Sequence, residues 1–211
     1  MTNRMTVFND HARDYDAWFD RHAEVYQSEL RAVGMLLPSC GKGVEIGVGT
    51  GRFSIPFGIT IGVEPSKEMG RIARRRGLTV YPAKAENLPF DDNTFDFVLM
   101  VTTLCFLDDP LKALRESNRI LRPSGTIVIG MLDKDSPPGK MYAMKKQSSK
   151  FFKDAEFYSA DQVLAWLQSA GYQHIRILQT LFRNPEEITS LEQVKEGHGA
   201  GLFVVLAAHK K

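Results

Sequence analysis

The run Val44-Glu45-Ile46-Gly47-Val48-Gly49-Thr50-Gly51-Arg52-Phe53 joins a short apolar stretch bearing one acid to a turn with glycine at alternate positions. At the carboxyl end of a buried strand, such a turn lets backbone approach a ligand where any Cβ would intrude. A dinucleotide fingerprint needs its third glycine at position 52. Arg52 stands there, so the pattern is G-x-G-x-G and the NAD or FAD signature fails at that element. A second apolar run, Ile59-Thr60-Ile61-Gly62-Val63, leads into Glu64, an acid able to accept hydrogen bonds from both hydroxyls of a ribose. One loop and one carboxylate describe an adenosine site.

The chain of 211 residues is expected to form one domain, residues 1–211, large enough to bury an apolar interior. A formal net charge of +2 is too small to draw in a nucleic acid or an anionic membrane by long-range attraction. The one basic concentration, Arg71, Arg74, Arg75 and Arg76, reads as the solvated end of a helix, where the dipole favours cations. Cys40 and Cys105 suggest neither a disulfide framework nor a metal site. Residues 1–19 carry Arg, Asp and His throughout, without the apolar core of a signal peptide, and no run approaches the roughly 18 residues of a membrane span. A cytoplasmic monomer or homodimer is expected.

Tyr15, Trp18, Phe19, Val25, Tyr26 and Leu30 recur at helical spacing, so residues 10–37 read as helix in two pieces, ended by Pro38-Ser39-Cys40-Gly41. Strands are predicted at 43–48, 59–63, 79–81, 95–101 and 126–131. Helices are predicted at 66–76 and 110–121, the latter stopped by Pro123 and Gly125. That alternation gives an α/β fold with a parallel, doubly wound sheet. Residues 132–158 break the rhythm and read as a cap insertion. Ser159 caps a helix to Ala170, and strands at 172–180 and 202–208 complete the chain. Asn184-Pro185-Glu186-Glu187 between them is a helix start. Gly197-His198-Gly199-Ala200-Gly201 lacks a preceding apolar strand and reads as a turn into the final strand.

Glu45, the three glycines, Glu64-Pro65-Ser66 and Ala85-Glu86-Asn87-Leu88-Pro89-Phe90 resemble successive motifs of class I S-adenosylmethionine-dependent methyltransferases. Phe95-Asp96-Phe97-Val98, Asp108-Asp109-Pro110, Glu116 and Arg119-Ile120-Leu121-Arg122-Pro123-Ser124-Gly125 follow in the order of the small-molecule (methyltransferase type 11, UbiE-like) branch. The resemblance covers roughly residues 8–131. It implies a Rossmann-like sheet of seven strands in order 3-2-1-4-5-7-6 with strand 7 antiparallel, and S-adenosylmethionine as cofactor. An N-terminal helical lid over residues 1–37 is expected beside it.

On that resemblance Glu45 meets the cofactor's α-ammonium, and Glu64 with Pro65 holds the ribose. Gly47 opens the cofactor-binding turn, and backbone amides around Gly49 and Gly51 cradle the methionyl carboxylate, with Arg52 as a helper. Ala85, Glu86 and Leu88 close over the adenine, and Thr102 follows strand four at the cofactor. The family places an Asp before Ala85. Here Lys84, which can only donate, leaves the adenine amino group to Glu86, a backbone carbonyl or water. Phe8, Ala12, Tyr15 and Asp16 match the family's F-x-x-x-A-x-x-Y-D pattern, and Tyr15 could face the sulfonium. His11, Tyr15 and His22 are the catalytic candidates, the histidines as general bases. The Asn/Asp-Pro-Pro-Tyr motif of enzymes that methylate DNA bases is missing after strand four, which argues for a small-molecule acceptor and against nucleic acid. The competing readings are an NAD-dependent oxidoreductase, opposed by Arg52 and the two carboxyl-terminal strands, and a non-catalytic S-adenosylmethionine-binding protein, kept open by Lys84 and the one-turn helix after Gly51.

Overall fold

A computed structural model describes residues 3–211, with side chains from residue 6 onward. Three helices come first: α1 (Asn3–Asp10), α2 (Ala12–Arg21) and α3 (Ala23–Gly34). The breaks fall at His11 and His22, whose backbones leave the helical region (φ −126, ψ 26 and φ −122, ψ 50). The two expected pieces are thus α2 and α3, and α1 precedes them.

The sheet contains β1 (Gly43–Ile46), β2 (Ile61–Val63), β3 (Thr79–Tyr81), β4 (Phe95–Val101), β5 (Leu121–Leu132), β6 (Tyr172–Thr180), β7 (Lys195–Glu196) and β8 (Phe203–Lys210). Their order is β3-β2-β1-β4-β5-β8-β6-β7. The expected seven-stranded order is present, with β8 antiparallel between β5 and β6. One further strand, β7, extends it by pairing Glu196 with Leu178 and Lys195 with Gln179. Two exposed charged residues leave no periodic signal, which is why the sequence hides it.

Along β4, Phe97, Leu99 and Val101 join one core while Phe95, Val98 and Met100 join the other. Such unbroken apolar runs belong to strands covered on both faces. Helices α5 (Pro110–Ile120) and α7 (Ala160–Ser169) supply Leu114 and Leu167 to one core, and α3 supplies Val25 and Val33 to the other. α7 begins with a full capping box between Ser159 and Gln162. α5 is capped by Asp109 with Pro110 behind it, and passes straight into β5 at Leu121. Pro123 and Gly125 therefore lie in the irregular start of β5 rather than in a loop, where Ser124 takes φ +63.

Only a single 3-10 turn, Ile55–Phe57, separates the glycine turn from β2. Asn184-Pro185-Glu186-Glu187 likewise makes one 3-10 turn, with Asn184 accepting from the Glu186 N–H. The stretch 132–158 folds as α6 (Pro137–Lys145) and a 3-10 turn at 146–148, then an aromatic loop. Gly197 to Gly201 form a turn into β8, and Gln179 Oε1 accepts the N–H groups of Ala200 and Gly201 at 2.9 and 2.8 Å. No helix among the described residues is long and apolar enough to cross a membrane.

Candidate active site

At the carboxyl ends of β1, β2 and β4 lies a cavity of about 110 Å³, lined by Gly47, Gly49, Glu64, Pro65, Lys84, Ala85, Glu86, Thr102 and Tyr15 among others. This is where ligands sit in open α/β sheets. Gly47 has φ +73, and a Cβ there would stand 2.4 Å from Thr103 Oγ1. Gly49 has φ +53, and its Cβ would occupy the gap between Met69 and Tyr15, at 3.6 and 3.9 Å, two side chains of the same cavity wall. Only glycine leaves that cradle open.

Glu64 is buried at the cavity edge. Its Oε2 accepts from the Gly49 N–H at 2.9 Å and its Oε1 from the Ser66 N–H at 2.8 Å. Burial raises its pKa to about 7, against those two hydrogen bonds. A carboxyl has about four lone-pair positions, so two remain for donors from the cavity.

Four of the expected contacts lie outside this cavity. Glu45 is not at its mouth: it is buried behind the glycine turn, receives the Ser54 hydroxyl at 2.5 Å, and is pushed by burial to about 8. Gly51 (φ +88) faces Leu78 and Ala73. Leu88 is packed in the core, its N–H donating to Glu116 Oε2 and its carbonyl accepting from Arg119. Arg52 is fully engaged elsewhere. Its guanidinium donates to both Asp16 oxygens at 2.9 and 3.0 Å and to Asp20 at 2.7 and 2.8 Å.

Asp16 also receives Arg76 at 2.6 and 2.8 Å and the Thr50 hydroxyl at 2.7 Å. Thus one α2 carboxylate fastens the N-terminal helices to the glycine turn and to the end of α4 (Lys67–Arg75). This corrects the reading of the arginine cluster as a solvated helix end at Arg76, while Arg74 and Arg75 are exposed in the last turn of α4 as that reading has it. Arg76 is in the clamp, Arg74 donates to the Val80 carbonyl at 2.7 Å, and Arg71 pairs with Glu68. Charge pattern along one helix gives no sign of partners far away in sequence.

Lys84 pairs with Asp108 at 2.8 Å, both side chains about half exposed. Glu86 Oε1 accepts the N–H groups of Asp108 and Asp109 at 2.9 and 3.3 Å. The loop after β4 is thereby tied to the adenine-side segment. Because exposed pairs contribute little, Lys84→Ala is expected to change stability by less than about 1 kcal/mol and S-adenosylhomocysteine affinity by less than about threefold. Calorimetry and thermal melts check this; a larger loss of affinity would assign Lys84 a ligand contact of its own.

A second cavity, about 130 Å³, shares Tyr15 and Thr102 with the first and is otherwise walled by Trp18, Phe19, Tyr142, Phe151, Phe152 and other apolar groups, with Glu29. The Tyr15 hydroxyl is hydrogen-bonded to Thr102, and burial lifts its pKa far above normal. Thr102 holds φ +49, a costly conformation for a β-branched residue. Neither histidine candidate reaches the two cavities: His11 sits 3.4 Å from Asp14, and His22 stacks on Trp18 with Nδ1 3.0 Å from the Trp18 carbonyl oxygen. Both are candidates for their imidazole chemistry, and the structure lines neither cavity with them.

The donor set suits an adenosyl sulfonium compound: a glycine cradle, a ribose-competent carboxyl, apolar walls and the Tyr15 ring beside Gly49. Residues 44–129 match the family profile described as "Methyltransferase domain". The chain is 48% identical over 206 residues to an uncharacterised protein of Methanocaldococcus jannaschii, covering 98% of this chain and 100% of that one. A Thermotoga maritima crystal structure, described as "SAM-dependent methyltransferase, possible histamine N-methyltransferase", is 48% identical with TM-score 0.94, covering 98% and 99% of the two chains. More distantly, demethylmenaquinone methyltransferase of Staphylococcus aureus is 23% identical over 207 residues, covering 81% of this chain and 85% of that one. The chain belongs to the S-adenosylmethionine-dependent methyltransferase family, and S-adenosylmethionine is its cofactor.

Proposed function

We propose that the enzyme methylates a small molecule seated in the second cavity, with the cofactor in the first. The observation that carries this is the shared wall: Tyr15 and Thr102 border both cavities, so a methyl donor and an acceptor on either side would meet there. Gly47, Gly49, Glu64, Pro65, Ala85, Glu86 and Thr102 would hold the cofactor, which when bound supplies a methyl group already activated on sulfonium. The chain's task is then to position the acceptor and exclude water, an orientation effect able to lower a barrier by several kcal/mol. Aromatic side chains from α1, α2 and the 132–158 segment do the excluding: the Phe8 ring lies 5.7 Å from Tyr15 and 6.0 Å from Phe151, centroid to centroid. α1 is held down by Asn9, whose Oδ1 accepts from the Ser66 hydroxyl at 2.9 Å.

Calorimetry is expected to show S-adenosylhomocysteine binding at about micromolar or tighter and no heat with NAD. Transfer of labelled methyl from S-adenosylmethionine is expected to a small-molecule panel. The names carried by similar proteins justify including histamine and a naphthoquinone. Heat with NAD and none with S-adenosylhomocysteine would sink the cofactor placement. Labelling of tRNA or DNA in place of every small molecule would sink the acceptor assignment.

A further inference from the structure

Glu29, on α3, is 5% exposed and lines the second cavity. Among the described residues its carboxyl has no hydrogen-bond donor and no cation, and burial alone shifts its pKa, to about 8. The ionisable groups that sense its charge are phenols: Tyr15 of α2, Tyr26 of α3 and Tyr142 of α6. No Lys, Arg or His lines the cavity. A buried carboxyl without a partner is costly to the fold, and a ligand can supply what the protein withholds. About half of the wall is aromatic, with Trp18, Phe19 and Tyr142 among the rings, the remainder being aliphatic apart from Thr102 and Ser149, and ring faces attract cations.

We propose that the acceptor is an organic amine bound as its ammonium, its charge paired with Glu29 inside the aromatic chamber. This rests on the reading of the second cavity as the acceptor site. Glu29 binds and orients the amine, and because an ammonium has no lone pair, its carboxylate takes the ammonium proton before the nitrogen receives the methyl group. Quinones and neutral phenols offer no cation to answer it, and a carboxylate would repel it.

The test uses the full chain saturated with S-adenosylhomocysteine and titrated with benzylamine and 2-phenylethylamine, against benzyl alcohol and 2-phenylethanol as neutral counterparts. At least one amine is expected to bind about tenfold or more tighter than its alcohol, and Glu29→Gln to erase that preference by weakening the amine while sparing the alcohol. Glu29→Gln should also leave S-adenosylhomocysteine affinity unchanged. Its melting temperature at pH 8.5 should exceed that of the wild type by about 2 °C or more. A carboxyl whose folded pKa is raised loses stability as pH rises from its unfolded value through about 8, and Gln has no such loss. The melting result shows that a folded Gln variant is being compared. Equal affinity for amines and alcohols, an amine affinity untouched by Glu29→Gln, or failure of every amine to bind would each overturn the proposal. Failure of S-adenosylhomocysteine itself to bind the wild type would instead fault the cofactor placement beneath it.

Discussion

Glu64→Ala is expected to weaken S-adenosylhomocysteine binding by about ten- to a few hundred-fold, because each lost charged hydrogen bond contributes about 1.5–3 kcal/mol, partly offset by rehydration. The variant also strips the acceptors from the Gly49 and Ser66 amides, so the cradle itself loosens. The same carboxyl predicts a pH dependence. Its pKa in the ligand-free fold is raised by burial to about 7, from 4.5. Ribose hydroxyls donate more strongly to the carboxylate than to the neutral acid. Wild-type affinity should therefore rise as pH passes upward through about 7, whereas Glu64→Gln should be weak and flat. For the ligand-free protein the sign is opposite: the fold favours the protonated acid, so this group's contribution to stability falls as pH rises from about 4.5 to about 7. Titrations at pH 6 and pH 8 decide the matter; an unchanged dissociation constant in folded Glu64→Ala would place the ribose elsewhere.

Removing the Asp16 carboxylate should do more harm to the molecule than removing either arginine it holds. Asp16→Ala leaves Arg52 and Arg76 facing each other without the anion between them, and frees α2 from the Thr50 hydroxyl. A loss of about 2–3 kcal/mol, or about 5–10 °C in melting temperature, is expected. Methyl transfer should fall at least about tenfold, more than cofactor affinity does, since α2 carries Tyr15 and Trp18 into the acceptor cavity. Burial alone would raise the Asp16 pKa, but hydrogen bonds from Arg76, Arg52 and Thr50 outweigh it and hold the group well below the ordinary carboxylate range. Its stabilisation is thus complete above about pH 4 and fades below, and the gap between wild type and variant should narrow in acid. Thermal melts at pH 7 and pH 3.5 test both statements; equal melting temperatures at pH 7 would deny the clamp any weight.

How legible the site was depended on whether a residue's role is local. Gly47, Gly49 and Glu64 act through backbone conformation and strand position, which nearby spacing encodes, and all three line the first cavity. The elements themselves were readable because apolar runs and a capping residue such as Ser159 mark where they begin, whereas the order of the strands came from the family resemblance. Glu45 and Arg52 were misplaced for the opposite reason. Ser54 binds one, and Asp16 with Asp20 binds the other, across separations of up to 36 residues that no periodicity reveals. Glu29 was missed altogether. On its helix it is one more acid among polar residues, and the cavity it lines is closed by residues distant in sequence, from Trp18 and Phe53 to Tyr142, Phe152 and Leu202. His11 and His22 drew notice by their chemistry, yet both sit at breaks between helices, where their rings meet Asp14 and Trp18 instead of either cavity.

The two margins of the sheet are β3, with three residues, and β7, with two. An unpaired strand edge is a template on which another polypeptide can add, and its hazard grows with its length and apolar character. β7 covers only Leu178 and Gln179 of the long strand β6 and leaves Tyr172 to Arg176 without a strand partner on that side, while β3 shows water only Thr79 and Tyr81 around a buried Val80. Among the described residues the sheet's extended lip is therefore the outer side of β6 from Tyr172 to Arg176, where Gln173, His174 and Arg176 are exposed. Concentrated enzyme should resist fibril-like association there, because the lip carries polar and charged side chains and is broken by the register shift between Gln173 and Arg176, where His174 takes φ +51.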